Sequence, residues 1–287
     1  MTSWRGQAAA VATLTFDVDA ETPVLAAGRQ YGKHLMTMSH QSYGPEVGVP
    51  RILDLLDEFE VPATFFVPGW VAEARPGLAN TIVSRGHEVA HHSYSHRAPT
   101  SLTDKEERAD FERALNVFSD QGIDVSGHRA AMWEATAQTP ELVAEFGLRY
   151  DSSLMHDDRP YRITTRGEAI VELPVHWSLD DWEQYAFLPA PHLGSVIESP
   201  VKVAEMWRAE LDGARHYGSL FNLCIHPFLS GRPGRALALR GLIEYALQCG
   251  DVTFTTCRDV VAAVESDDSI VPRQALLPIV DPEVYPD

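Results

Sequence analysis

The chain has 287 residues, 45% of them hydrophobic and 22% charged, the proportions of an ordinary globular protein long enough to bury a sizeable core. Its formal net charge of -18 excludes non-specific nucleic-acid binding, which needs a surplus of Lys and Arg, and disfavours an anionic membrane surface. The three cysteines, Cys224, Cys249 and Cys257, are odd in number and lack metal-type spacing, so a reducing compartment is expected and a disulfide framework is not.

Residues 8–14 are apolar and follow Arg5, but they run straight into Thr15, Phe16, Asp17, Val18 and Asp19 without a small-residue cleavage site. That marks a first buried strand at 10–16 rather than an export signal, and a cytoplasmic protein is expected. Residues 30–48, with their Tyr, Gly, Met and His content, read as a long loop covering the site, with Tyr43 as a substrate contact. Ile52, Leu55, Leu56 and Phe59 share one face of a helix at 49–59. Strands are predicted at 63–67 and 88–90. A helix at 103–118 opens on Thr103 and Glu106, a capping box. A strand at 127–130 precedes a helix at 139–146, with Thr139 as N-cap, Pro140 in its first turn and Gly147 as its stop. A strand at 170–175, a helix at 201–217, a strand at 220–225 with Cys224 in the core, a helix at 236–248 and a strand at 252–255 follow. Seven strands alternating with helices predict an α/β fold with a mainly parallel sheet. One domain is expected over 1–270, with a proline-rich extension at 271–287 packing on the surface or on a partner subunit.

Reactive side chains cluster just after the apolar strands, which in an α/β barrel is the catalytic face. Asp17 and Asp19 can divide labour, one holding a metal and the other free as a base, although an Asp pair at a strand end also serves as a turn or cap. His92 and His96 are spaced i, i+4, which puts both imidazoles on one face if the segment is a helical turn, an arrangement suited to zinc and similar ions. His91 is a neighbour rather than a ligand, and His87 belongs to the turn before its strand. His226 leaves a buried strand into a Gly/Pro-rich loop and is well placed as an acid or base.

In order, Asp17-x-Asp19, His92-Ser93-x-x-His96, Arg129, Asp180-Asp181-Trp182 and Leu223-x-x-His226 resemble the five motifs of the polysaccharide deacetylase (NodB-homology, carbohydrate esterase family 4) family, over Leu14 to about Val260. The resemblance implies a distorted (β/α) barrel of about seven strands. It implies Asp17 as catalytic base, Arg129 as its partner, His226 as general acid and Asp181 as the partner of that imidazole. Asp19, His92 and His96 would be ligands of a divalent metal ion, Zn2+ being the expected one.

The third motif departs from the family's Arg-x-Pro-aromatic: Arg129-Ala130-Ala131-Met132-Trp133 lacks the proline and sets the aromatic one place later. The segments 150–158 and 173–182 resemble the branch of intracellular peptidoglycan-deacetylase-like proteins and cyclic imide hydrolases. His226-Pro227 with the Gly-Arg-Pro-Gly-Arg run at 231–235 also resembles allantoinase-like proteins, whose members can work without a metal. The leading expectation is a metal-dependent hydrolase of non-peptide C–N bonds acting on an N-acetyl sugar or a small cyclic amide or imide. Trp133 and Trp182 would wall the substrate, and the loops at 30–48, 177–187 and after His226 would close a pocket. Two alternatives stand beside it: a metal-independent allantoinase-like hydrolase and a catalytically inactive carbohydrate-binding protein. His156, Asp157 and Asp158 would add to the site or form a solvated run. Arg232 and Arg235 would recognise a carboxylate or pair with surface acids. No nucleic-acid or membrane partner is expected, and a homo-oligomer is.

Overall fold

A computed structural model describes residues 3–274. Among these residues twelve strands run in chain order: β1 (Ala10–Asp17), β2 (Thr64–Val67), β3 (Glu88–His91), β4 (Gly127–His128), β5 (Tyr150–Asp151), β6 (Tyr161–Thr164), β7 (Ile170–Glu172), β8 (Phe187–Pro189), β9 (His192–Ser195), β10 (Leu220–Ile225), β11 (Val252–Phe254) and β12 (Arg273–Gln274). The main sheet has the order β10-β1-β2-β3-β4-β5-β7-β6-β12, with β11 also pairing β1. All its pairings are parallel except β6 with β7. The fold is a distorted (β/α) barrel, as expected. All seven predicted strands form, corresponding to β1, β2, β3, β4, β7, β10 and β11. Two-residue β5, the antiparallel β6, β12 and the β8–β9 hairpin carry too little apolar pattern to be seen in the sequence.

β1 and β10 are buried along their whole length, as a strand covered on both faces must be. The helix Val49–Phe59 turns Ile52, Leu53, Leu55 and Leu56 into the core. The helix Asp104–Asp120 starts from Thr103 with both arms of the capping box made: Thr103 Oγ1 accepts from Glu106 N, and the Glu106 carboxylate accepts from Thr103 N at 2.9 Å. One cap differs from expectation. The helix Thr139–Glu145 is capped by Gln138, because the Thr139 hydroxyl lies inside the helix, accepting from Thr136 N and donating to Glu107.

Residues 30–48 are not a loop. A 3-10 turn (Arg29–Lys33), a helix (Leu35–Tyr43) and a π-helical turn (Gly44–Gly48) run directly into Val49–Phe59. Leu35 and Met36 face solvent, so no apolar period announces the helix. Glycine lets it lie against the chain after His226. A Cβ on Gly48 would meet Pro227 O at 2.2 Å, and one on Gly231 would meet Gly48 Cα at 2.5 Å. The segment thus buttresses the His226 loop instead of roofing the site. Of the predicted extension at 271–287, residues 275–287 lie outside the described part; Arg273–Gln274 pairs with β6.

Two carboxylates are buried where β5 and β7 end. Asp151 and Glu172 are fully inaccessible. Burial pushes both upward, Asp151 to about 6, and the neighbouring Asp151 charge raises Glu172 further. A folded pKa above the unfolded one favours folding most at pH values below the unfolded pKa, about 4, and that contribution is lost as pH rises through the folded pKa. Glu172 Oε1 already accepts from Ser153 N and Leu154 N, so Glu172→Gln keeps those bonds and supplies an N–H toward Asp151. We expect Glu172→Gln to raise Tm by several degrees at pH 8 and by little at pH 5. Thermal melts at the two pH values check this. An equal shift at both would show that the pair carries no shared proton.

Candidate active site

β1, β3, β4 and β10 end on the same side of the barrel, and the ionisable residues stand at or just past those ends. Asp17 closes β1 and Asp19 lies two residues on; His92 follows β3, Arg129 follows β4 and His226 follows β10. All five, with His96 and Asp181, are buried. The structure brings all seven into one contiguous cluster.

His92 and His96 do converge, but not through a helical turn. The segment after β3 is a bend in which Ser93 and His96 both take left-handed backbone, each with φ 57°. Ala20, Met132 and Trp133 are left-handed as well. Five of the six non-glycine residues with positive φ among the described residues therefore flank this cluster. Each costs on the order of 1–3 kcal/mol, a concentration of strain typical of sites where side-chain placement outweighs backbone comfort.

His92 Nδ1 donates to Arg129 O at 2.7 Å, because a carbonyl can only accept. Its Nε2 then faces Asp19 Oδ1 at 3.3 Å, and His96 Nε2 faces Asp19 Oδ2 at 3.2 Å. Burial alone would raise Asp19, but its attraction to His96 and the closeness of both imidazoles hold it well below the usual carboxylate range. Asp19 Oδ1 is buried without a conventional hydrogen-bond partner. Ligand atoms about 2.0–2.1 Å from a tetrahedral zinc lie roughly 3.3 Å apart. Asp19, His92 and His96 therefore fit a divalent ion, with the Arg129 carbonyl fixing one imidazole from behind. Two further groups of possible ligands adjoin them: Asp17 with Cys224 and His226, and Asp180 with Asp181 and His226.

Asp17 approaches the triad through His92, with Oδ2 3.7 Å from His92 Nε2. Its Oδ1 accepts from Arg129 Nη1 at 2.7 Å. Arg129 is fully buried and donates also to Thr15 Oγ1, Ser152 O and Ser152 Oγ, while its guanidinium lies 4.1 Å from the Phe66 ring centre. Burial opposes its charge, but Asp17 more than offsets that and raises its pKa. β4 is shorter than predicted because Ala130 N bonds to the Ser153 hydroxyl instead of continuing the ladder.

His226 approaches from the other side, with Nε2 3.5 Å from Asp19 Oδ2. Asp181 Oδ1 accepts from both His226 N and His226 Nδ1, each at 2.8 Å, and its second oxygen accepts from Ser230. Burial would discharge the imidazole. The bond to Asp181 and the charges of Asp180, Asp181 and Asp19 outweigh it and raise it to about 10. Asp180 lies 3.6 Å from Nδ1 and is pushed up to about 7, chiefly by burial. Asp181 rather than Asp180 makes the direct hydrogen bond, as expected.

The cluster opens into a cavity of about 70 Å³ bounded by Asp17, Asp19, His92, His96 and His226, with Met132, Trp133, Trp177, Trp182, Asp180 and Glu183 around it. Trp133 and Trp182 therefore both line it. Tyr43 does not. Its ring lies under Arg232, and its hydroxyl donates to Gly231 O, because the helix Leu35–Tyr43 packs on the His226 loop. Segment 177–187 gives the cavity Trp177, Asp180, Trp182 and Glu183, whereas 30–48 gives nothing. Trp177 opens the segment expected to lean over the site, though no individual role was expected of it. It is half exposed and stacks on Trp133 with ring centres 4.8 Å apart. Its only sequence signal is an aromatic residue shortly before Asp180-Asp181-Trp182. His156, Asp157 and Asp158 line a separate cavity. His91 is indeed a neighbour, its Nδ1 2.7 Å from His128 Nδ1 and its Nε2 donating to Phe111 O. Burial lowers both imidazoles. His87 precedes β3, against Phe65.

A barrel that gathers ionisable side chains at the C-terminal ends of its parallel strands has the architecture of an enzyme. Residues 36–150 match the polysaccharide deacetylase family model. A peptidoglycan deacetylase of Helicobacter pylori is 30% identical over 78% of this chain and 85% of its own. A Mycobacterium smegmatis protein assigned as a polysaccharide deacetylase, seen in a crystal structure, superposes with a TM-score of 0.93 at 43% identity over 97% of each chain. An allantoinase crystal structure shares the fold, with a TM-score of 0.80 at 22% identity over 92% of each chain. The chain belongs to the polysaccharide deacetylase family. Its class of chemistry is hydrolysis of amide C–N bonds outside peptides. Among the described residues no helix is long and apolar enough to cross a membrane.

Proposed function

We propose that the protein is a metal-dependent deacetylase acting on an N-acetylated sugar. The observation that carries this reading is the placement of Asp17 and His226 on opposite sides of the Asp19–His92–His96 triad, one through His92 and the other through Asp19. Arg129 aims Asp17 to accept a proton from an attacking water, whose oxygen bonds to the acetyl carbon. His226, held charged by Asp181, gives a proton to the sugar nitrogen as the C–N bond breaks. Asp19, His92 and His96 would hold the ion, and Zn2+ suits two imidazoles and one carboxylate with a position left open. The chemistry supplied by such an ion is Lewis acidity toward a carbonyl oxygen and a lowered pKa for water. A cavity of about 70 Å³ suits a group as small as acetyl, while the Trp133–Trp177 stack at its mouth offers a flat apolar surface to a sugar ring.

Purified protein is expected to retain a divalent ion, and chelation is expected to abolish turnover and lower Tm. A ligand present at 100 times its Kd adds about 2.7 kcal/mol. Elemental analysis with activity before and after chelation and Zn2+ add-back checks this. Full activity in rigorously metal-free protein would favour the metal-independent alternative instead.

A further inference from the structure

A second cavity, about 680 Å³, is lined by residues that share chain segments with the metal triad and takes no part in the chemistry described so far. Two of its walls come from the chain just after Asp19 and the chain around His96. Ser95 and Arg97 flank His96 in sequence, and Thr22 donates its hydroxyl to the backbone carbonyl of Asp19 at 2.7 Å. Three arginines line it, Arg29, Arg97 and Arg113, and no carboxylate does. In a chain with 41 acidic and 23 basic residues that is an unusual concentration of positive charge.

The nearby acids are already engaged. Asp110 accepts from Tyr94 N and Ser95 N, and Glu73 accepts from the Tyr94 hydroxyl and lies 3.5 Å from Arg113. Arg29 and Arg97 have no ion pair among the described residues. Guanidinium groups beside the aromatic Trp70 match an oxyanion attached to a less polar body.

We propose that this cavity binds an anionic substituent, a phosphate or a carboxylate, carried by the same molecule whose amide enters the catalytic cavity. The proposal rests on the deacetylase reading above and narrows the substrate to a negatively charged N-acetyl sugar. Arg29 and Arg97 supply the charge, and neither touches the reacting atoms.

Two measurements on the full chain test it. The first is calorimetric titration with inorganic phosphate at low salt, for the wild type and for the double variant Arg29→Gln/Arg97→Gln. Binding weakened about 10-fold or more in the variant supports the site, since hydrogen bonds to charged groups are worth that much each. The second compares kcat/KM for N-acetylglucosamine, its 6-phosphate and N-acetylmuramic acid. A charged substrate favoured about 10-fold or more in the wild type, with the preference lost in the variant and the neutral substrate unaffected, is the expected result. Which charged substrate gains tells phosphate from carboxylate. Equal phosphate binding in both proteins, or an equal loss on charged and neutral sugars, overturns the proposal. If none of the three sugars is hydrolysed the deacetylase reading fails, while the phosphate titration still decides the anion site.

Discussion

Replacing Asp17 with asparagine is expected to lower kcat by about 100-fold to 10,000-fold, the usual worth of a positioned general base, with metal content unchanged. The side chain keeps its shape, and its amide oxygen can still accept from Arg129 Nη1, which now lies at 2.7 Å. What it loses is basicity toward a water proton. Alanine would be a poor choice. Arg129 is fully buried, and removing the other half of a buried ion pair costs about 3–5 kcal/mol, so lost activity would be confounded with lost fold. Even asparagine leaves the guanidinium without a counter-charge, although Thr15 Oγ1, Ser152 O and Ser152 Oγ still hold it. Some fall in Tm is therefore expected, and rates belong at a temperature where the variant is folded. A loss under 10-fold would remove Asp17 as base. Loss of bound metal along with activity would make it a ligand.

The strand ends were legible in the sequence because they combine two signals. Buried runs such as 10–16 and 220–225 are apolar and β-rich, and each stops at residues too polar to bury without a reason. That put Asp17, Asp19, His92 and His226 in one place, and the resemblance to the deacetylase motifs added Arg129 and Asp181. The local routes to that place were less legible. The i, i+4 spacing of His92 and His96 pointed to a helical turn, yet left-handed Ser93 and His96 bring the rings together. Spacing fixes how much chain lies between two residues, not its path. Residues 30–48 were misread because Leu35 and Met36 face solvent and the glycines serve close packing rather than turns. Tyr43 fell with that error. The Trp177–Trp133 stack and the Asp151–Glu172 pair were missed for a different reason. Their significance lies in contacts between distant segments, Trp177 on Trp133 and β5 beside β7, which no local pattern encodes.

Asp181→Asn is expected to impair the second half of the reaction in a way that depends on pH and on leaving group. His226 is raised to about 10 in spite of its burial, and the hydrogen bond to Asp181 is the largest raising influence. A raised pKa keeps the imidazole charged through neutral pH and discharges it only as pH climbs toward that value. With asparagine the bond at Nδ1 weakens and one charge is gone, so the pKa falls toward the ordinary 6.5, with burial pulling it lower still. The variant should then lose activity progressively from acid to alkaline pH, over a range where the wild type still holds its proton. The deficit should be greatest for a sugar amide, whose nitrogen leaves only if protonated. It should be small for an activated acetyl ester with a weakly basic leaving group. On the amide at pH 8, a fall in kcat of about 100-fold or more is expected, the scale of a general acid. Asp180, 3.6 Å from the same nitrogen, is the internal control: Asp180→Asn removes a nearby charge but no direct hydrogen bond to the ring and should shift the profile less. Equal losses on amide and ester, or an alkaline limb that does not move, would show that His226 orients the substrate without donating the proton.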